Sequence, residues 1–406
     1  MAKSDPIAGV SLWHEESGAF PSQKLTRDLR TDVLVVGAGI SGALVAEALS
    51  AIGRGVTVID RHHPADSSTS ASTALLLFEI DKPLVVLSEK IGKEKAARVW
   101  RRSFRAMQAL TEKIRRLKID CDYKERESLL LPGKVLGPSG LRRECETRAA
   151  LGLPSRIAER DELKREFNID RPCAILSGNS AEAHPVKMAR GILEKAAANG
   201  TKIFSPVEAK SIEATEKHAI VTTKSGHRIH ANFVVLCCGY ELPKFLVAKS
   251  HLIVSTWAAA TRPQPENLWR SRALIWEAAD PYIYIRTTVD GRVVIGGEDE
   301  SHNDNERRAK RTPAKIARFR SKLKLLMPQI RFEDEDVEFA WSGAFGASET
   351  GLPVIGNVPG LPRVCAVLGF GGNGTTYAQV ASEMIANALN GKAEPDLDLF
   401  AFGEND

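Results

Sequence analysis

Thr31-Asp32-Val33-Leu34-Val35-Val36-Gly37-Ala38-Gly39-Ile40-Ser41-Gly42 opens a unit that runs on to Val56-Thr57-Val58-Ile59-Asp60. A short apolar run enters three glycines spaced GxGxxG, a helical pattern follows, and a second apolar run ends on an acid. In a dinucleotide-binding turn Gly37 permits tight backbone geometry, Gly39 lets a pyrophosphate approach, and Gly42 lets the helix pack close to the strand. Asp60 lies 18 residues beyond Gly42. A carboxylate there accepts hydrogen bonds from ribose hydroxyls and repels a 2′-phosphate. The stretch reads as a complete βαβ unit for FAD or NAD rather than NADP.

Around it, 406 residues suffice for two lobes, since single cores stop growing below this length. The balance of 56 basic against 51 acidic residues leaves a charge of +5, too small to argue for nucleic acid. No aromatic-interleaved basic patch adds to that case. Cys121, Cys145, Cys173, Cys237, Cys238 and Cys365 lack metal-ligand spacing and read as reduced and mostly buried. Residues 1–30 carry Asp5, Glu15 and Glu16 where an export signal needs a continuous apolar segment. No run approaches the roughly 18 apolar residues of a membrane span. The expectation is a cytoplasmic protein.

After Asp60, the segment Ala65 to Ala74 is rich in small and hydroxyl residues and suits phosphate contact; the plainer alternative is a surface loop. Glu89 to Leu117 reads as a basic helix with a solvated face. A helix follows His184-Pro185, and short strands lead to Phe233–Cys238 and Gly239, where backbone can lie beside a dinucleotide. Asp290-Gly291 signals a hairpin. Strand alternation then puts Tyr282, Tyr284 and Arg286 on one face, a receptor for a small anionic or zwitterionic substrate or simply a polar side in water. Near the end, Gly369-Phe370-Gly371-Gly372-Asn373-Gly374 opens a helix from about Thr375. Its N–H groups and dipole would face a negative charge that appears during reaction.

The order of these motifs resembles the D-amino acid oxidase-like superfamily of FAD-dependent oxidoreductases, which includes glycine and sarcosine oxidases. Ser11-Leu12-Trp13 before the first strand is similar to the gamma-glutamylputrescine oxidase branch. The resemblance implies FAD with its adenosine end on Gly37, Gly39, Ile40, Ser41, Gly42 and Asp60, with Arg61 nearby and Val207 beside the adenine. Ser72 and Thr73 would pass the pyrophosphate and flavin side. Gly371, Gly372, Asn373, Gly374 and Thr375 would face the pyrimidine edge of the flavin. Sarcosine oxidases tether flavin through a cysteine, whereas the matching position here is Gly343, so FAD is expected to be noncovalent. Arg286 becomes the candidate for a substrate carboxylate, with Tyr284 and Tyr282 shaping the pocket.

The expected fold is α/β: a Rossmann-like FAD-binding domain with an inserted, mostly antiparallel substrate-binding domain. Residues 28–85, 150–240 and 338–406 are assigned to the first, 86–149 and 241–337 to the second, and 1–27 to an extension. The expected activity is oxidation of the C–N bond of a small amine or amino acid by hydride transfer to flavin N5, giving an imine that hydrolyses. The alternatives are a flavin-dependent 2-hydroxy acid dehydrogenase, which would need a general base such as histidine, and a non-catalytic FAD-binding assembly module.

Overall fold

The computed structural model describes residues 7–13, 20–240, 251–348 and 350–402. Two sheets organise the chain. The first runs Val354–Asn357, Val364–Leu368, Arg228–Leu236, Leu29–Val36, Val56–Ile59, Lys202–Phe204 in spatial order. All neighbours in it are parallel except the first pair. Its central strands are continuous runs of Val, Ile and Leu because both faces are covered. Helices Ile40–Ala51, Pro185–Ala198 and Gly374–Leu389 pack on one face. The strands Ala209–Ala214 and Ala219–Thr223 extend it as a meander and put Ala219 and Val221 on the other.

The second sheet runs Ile7–Val10, Val337–Ser348, His251–Thr261, Val293–Glu300, Ile283–Thr287, Leu274–Glu277, Lys124–Leu131, Cys173–Glu182, Leu75–Leu76, with Ser155–Glu159 on the side of Cys173–Glu182. It is antiparallel apart from the pairing of Leu274–Glu277 with Lys124–Leu131. The hairpin at Asp290-Gly291 forms as read, with Gly291 at φ +89° and Tyr284 opposite Gly296.

Sheet membership divides the chain differently from the expected segments. Strands 155–159, 173–182 and 337–348 all belong to the second sheet, and so does Ile7–Val10 from the extension. Long-range pairing decides this, and no local pattern announces it. The expected boundaries at 1, 241 and 406 lie outside the described residues. The basic helix is also two: Gly92 at φ +87° separates Leu84–Ile91 from Lys93–Leu117. In the longer one Val99, Trp100, Met107, Leu110 and Ile114 are buried, while Arg98 pairs with Asp398 at 2.7 Å and Arg102 with Glu383 at 3.1 Å. Among the described residues, no helix is long and apolar enough to cross a membrane. The described cysteines are free, four of them buried.

One buried ionic group ties the helices to the second sheet. Arg148, with no side-chain exposure, donates to Glu79 at 2.7 Å and to Glu144 at 2.8 Å, and its guanidinium lies 4.6 Å from the Trp100 ring centre. Glu144 in turn accepts the N–H groups of Leu84 and Val85, both at 2.9 Å, satisfying the open end of the helix Leu84–Ile91.

Candidate active site

A single cavity of about 1020 Å³ runs between the two sheets. At one end lie Gly37, Gly39, Ile40, Ser41, Asp60, Arg61 and Val207, and at the other Tyr282, Tyr284 and the turn Gly371, Gly372, Asn373, Gly374, Thr375. Ser72, Thr73 and Gly239 line it as well.

At the nucleotide end, Gly37 sits at φ +113°, and a Cβ there would collide with the Cys237 carbonyl oxygen. Gly42 does not line the cavity: a Cβ on it would strike the Gly37 carbonyl oxygen, so its task is close packing of helix on turn. The Asp60 carboxylate accepts N–H groups from Ala38 at 2.6 Å and His62 at 2.8 Å. It therefore shapes the turn itself, and its remaining lone pairs face the cavity for hydroxyl donors. Burial raises its pKa, against the pull of those two amides. The helix Ile40–Ala51 starts with no acid in its first turn and no side-chain cap on Gly39, leaving its positive end for an anion.

Thr69 accepts the Ile40 N–H at 3.0 Å and was not singled out by the sequence. Nor were two indoles that hold the hydroxyl-rich segment: Trp13 donates to the Ser72 carbonyl at 2.6 Å and Trp341 to that of Ala71 at 2.8 Å. The Trp13 motif was visible, but its target lies 59 residues away.

At the other end, Asp81 accepts the Gly372 N–H at 2.7 Å. Asn373 donates to the Glu79 carbonyl at 2.6 Å and Thr376 to that of Leu77 at 2.7 Å, so the helix Gly374–Leu389 is laced to residues 77–81. Burial raises the pKa of Asp81. The Tyr284 hydroxyl lies beside Thr73 and Thr256, and a Cβ on Gly296 would collide with it. Thr256 and Tyr282 lie beside Asp299, whose carboxyl is pushed up to about 6, first by burial, with the charge of Asp81 adding to it. Burial suppresses the acidity of Tyr240, Tyr282 and Tyr284. Asp81, Asp299, Thr256 and Tyr240 form no sequence motif.

Arg286 requires correction. It shares a strand face with Tyr284 but lies beyond the cavity wall, fully buried, neither in water nor facing a substrate. Its guanidinium donates to the Ala183 carbonyl at 3.1 Å, pairs with Glu182 at 3.7 Å and lies 5.2 Å from the Trp13 ring centre. Burial draws its pKa down to about 10, with Glu182 opposing. Arg286→Met is expected to lower unfolding stability by about 1–3 kcal/mol and to leave the half-saturating substrate concentration unchanged. Urea titration alongside steady-state kinetics checks both, and a raised half-saturation with intact stability would return the residue to the site.

An extended dinucleotide fits these residues: glycine backbone and a free helix end at one terminus, a second helix start at the other, and a long cavity between. Gly343 and Ala344 line the wall where a tether would stand, without a reactive side chain. Comparison with known proteins agrees. The chain is 24% identical over 391 residues to gamma-glutamylputrescine oxidoreductase of Escherichia coli (strain K12), covering 94% of this chain and 88% of that protein. Its fold is similar to glycine oxidase from Geobacillus kaustophilus, with TM-score 0.74 and 20% identity over 93% of this chain and 99% of that one. It is also similar to L-amino acid deaminase from Proteus vulgaris, with TM-score 0.75 and 18% identity over 95% of this chain and 100% of that one. The DAO family profile, described as FAD dependent oxidoreductase, matches residues 32–388, from the strand feeding the glycine turn to the last turn of the helix Gly374–Leu389. A match of that extent, on a chain whose glycine turns and hydroxyl segment converge on one dinucleotide-shaped cavity, makes this protein a member of the DAO family of FAD-dependent oxidoreductases.

Proposed function

We propose that the protein oxidises the C–N bond of a small amine or amino acid, using FAD held without a covalent bond. The observation that carries this reading is the continuity of the cavity from Asp60 to Tyr284, which puts a hydroxyl- and phenol-lined substrate space at the far end of the nucleotide groove. Bound flavin supplies hydride acceptance. The chain supplies orientation and an enclosed space: Tyr282 and Tyr284, with ring centres 6.0 Å apart, form one wall, with Thr256 beside Tyr284. Loss of hydride from a neutral amine is assisted by the nitrogen lone pair, so no side chain has to remove a proton in that step. A 2-hydroxy acid, by contrast, needs a base on its hydroxyl. Among the described cavity residues the one histidine is His62, beside Asp60 at the nucleotide end. This favours the amine over the hydroxy acid.

Anaerobic titration of the purified holoenzyme is the test. Amines or amino acids are expected to bleach the visible flavin band. Bleaching by 2-hydroxy acids alone would overturn the assignment in favour of alcohol oxidation. A band that only a chemical reductant removes would mean that the fold serves as an assembly module.

A further inference from the structure

One acid at the far end of the cavity makes no ion pair among the described residues. Asp81 lines that end, and it lies so close to Gly371 and Gly372 that a Cβ on either would overlap a carboxylate oxygen. Its Oδ2 accepts the Gly372 N–H at 2.7 Å, while Oδ1 has no hydrogen bond among the described residues. The lining cations among the described residues, Arg61, Lys210 and Lys224, stand at the nucleotide end. Glu79, the other acid at the far end, is already neutralised by Arg148 at 2.7 Å. Lys82 follows Asp81 in sequence, but it lays its stem beside Gly351 and does not line the cavity. Around Asp81 stand the phenols of Tyr240, Tyr282, Tyr284 and Tyr377, near enough to feel its charge and held protonated by burial. Asp299 acts on it from outside the lining and is itself faced by Lys315. Burial raises the Asp81 pKa and the Gly372 amide opposes that rise.

FAD with its ribose on Asp60 places its ring system against this end. Two features there respond in opposite ways when electrons arrive. The start of the helix Gly374–Leu389 carries about +0.5 of a charge and rewards an anion. Ionised Asp81 carries a full negative charge and penalises one. It has also taken the Gly372 amide that would otherwise point at the newcomer. The balance is negative, and the open Oδ1 is where it can be relieved. We propose that Asp81 Oδ1 takes up a proton from solvent each time the cofactor is reduced, so that charge arriving in the cavity is neutralised within it. A donor's hydride brings two electrons and one hydrogen nucleus, which leaves the site one unit more negative. The solvent proton then forms an O–H bond on Asp81 and restores the original net charge. When the electrons depart, that O–H bond breaks and the proton returns to solvent. The inference holds for any hydride donor and stands apart from the C–N oxidation reading.

The test reduces the holoenzyme at an electrode, without oxygen and without substrate, so its outcome is independent of which molecule the enzyme oxidises. The infrared difference between reduced and oxidised protein is expected to show a carboxylic acid C=O band that shifts in D2O. That band should be absent from Asp81→Asn and kept in Asp299→Asn. From neutral to mildly alkaline pH, the two-electron midpoint potential should fall more steeply in wild type than in Asp81→Asn. The difference corresponds to one further proton per electron pair: about tenfold in the reduction equilibrium, or about 30 mV, per pH unit. Wild type without the acid band, or equal slopes in wild type and Asp81→Asn, would overturn the proposal. A band lost in Asp299→Asn and kept in Asp81→Asn would give the proton to Asp299 and overturn it equally. Should Asp81→Asn fail to hold FAD, Asp81→Glu takes its place: the band must change frequency with the longer acid, and an unmoved band overturns the assignment.

Discussion

Arg148→Met is expected to lower unfolding stability by about 3–5 kcal/mol, because it leaves Glu79 and Glu144 buried without a counter-charge. Both carboxylates have no side-chain exposure, so water cannot replace the guanidinium without opening the structure. Ser128 and Ser177 hydroxyls also bond Glu79, but neutral donors do not offset a full buried charge. The loss should reach the active site. Glu79 lines the cavity, and its carbonyl holds Asn373 at the start of the helix Gly374–Leu389. Urea unfolding of wild type and variant measures the cost. The triple variant Arg148→Met, Glu79→Gln, Glu144→Gln separates the unpaired charges from lost packing: it should recover a large part of the deficit, since a buried ionic group replaced as a whole is often close to neutral. If the single variant is as stable as wild type, the group is not the anchor described here.

Gly42→Val is expected to yield protein that retains FAD about 100-fold more weakly, a change of about 2.8 kcal/mol, with destabilisation of roughly 1–3 kcal/mol or more from overpacking. The Cβ would overlap the Gly37 carbonyl oxygen, which is backbone and cannot swing aside, and Val35 stands behind it. Helix Ile40–Ala51 would have to lift from the strand that delivers the turn, and its first amides would move away from the pyrophosphate position. Dialysis against FAD-free buffer followed by the visible spectrum reads the effect. Gly42→Val protein that keeps its flavin through dialysis would show that the helix can shift without cost to the site.

The nucleotide end was legible because its logic is local. A turn that needs positive φ, a helix that needs close approach and an acid at the end of the next strand are all written within residues 31–60; Gly37 takes the positive φ, Gly42 the close approach, and Asp60 ends its strand bonded back to the turn. The hairpin at Asp290-Gly291 was legible for the same reason. The opposite end was not, because its contacts are made between distant strands. Asp81 meets Gly372 across 291 positions, and Arg286 leaves the cavity for Glu182 and Ala183, about a hundred positions upstream. Alternation placed Arg286 on the correct face of its strand, but how far along that face the cavity extends is set by the neighbouring strands. Strand 173–182 was missed entirely, although it supplies the carboxylate that holds Arg286.

The cavity walls also impose an order in time. Gly37 emerges from the ribosome 339 residues before Thr376, yet both face the same space. At translation rates of ~5–20 residues per second the interval is roughly 20–70 s. Throughout it the glycine turn exists without the helix that closes the other end, and the strand pair that carries Tyr284 comes only late. Cofactor loading thus belongs to the last stage of biosynthesis, when the residues around Thr376 have joined those around Gly37.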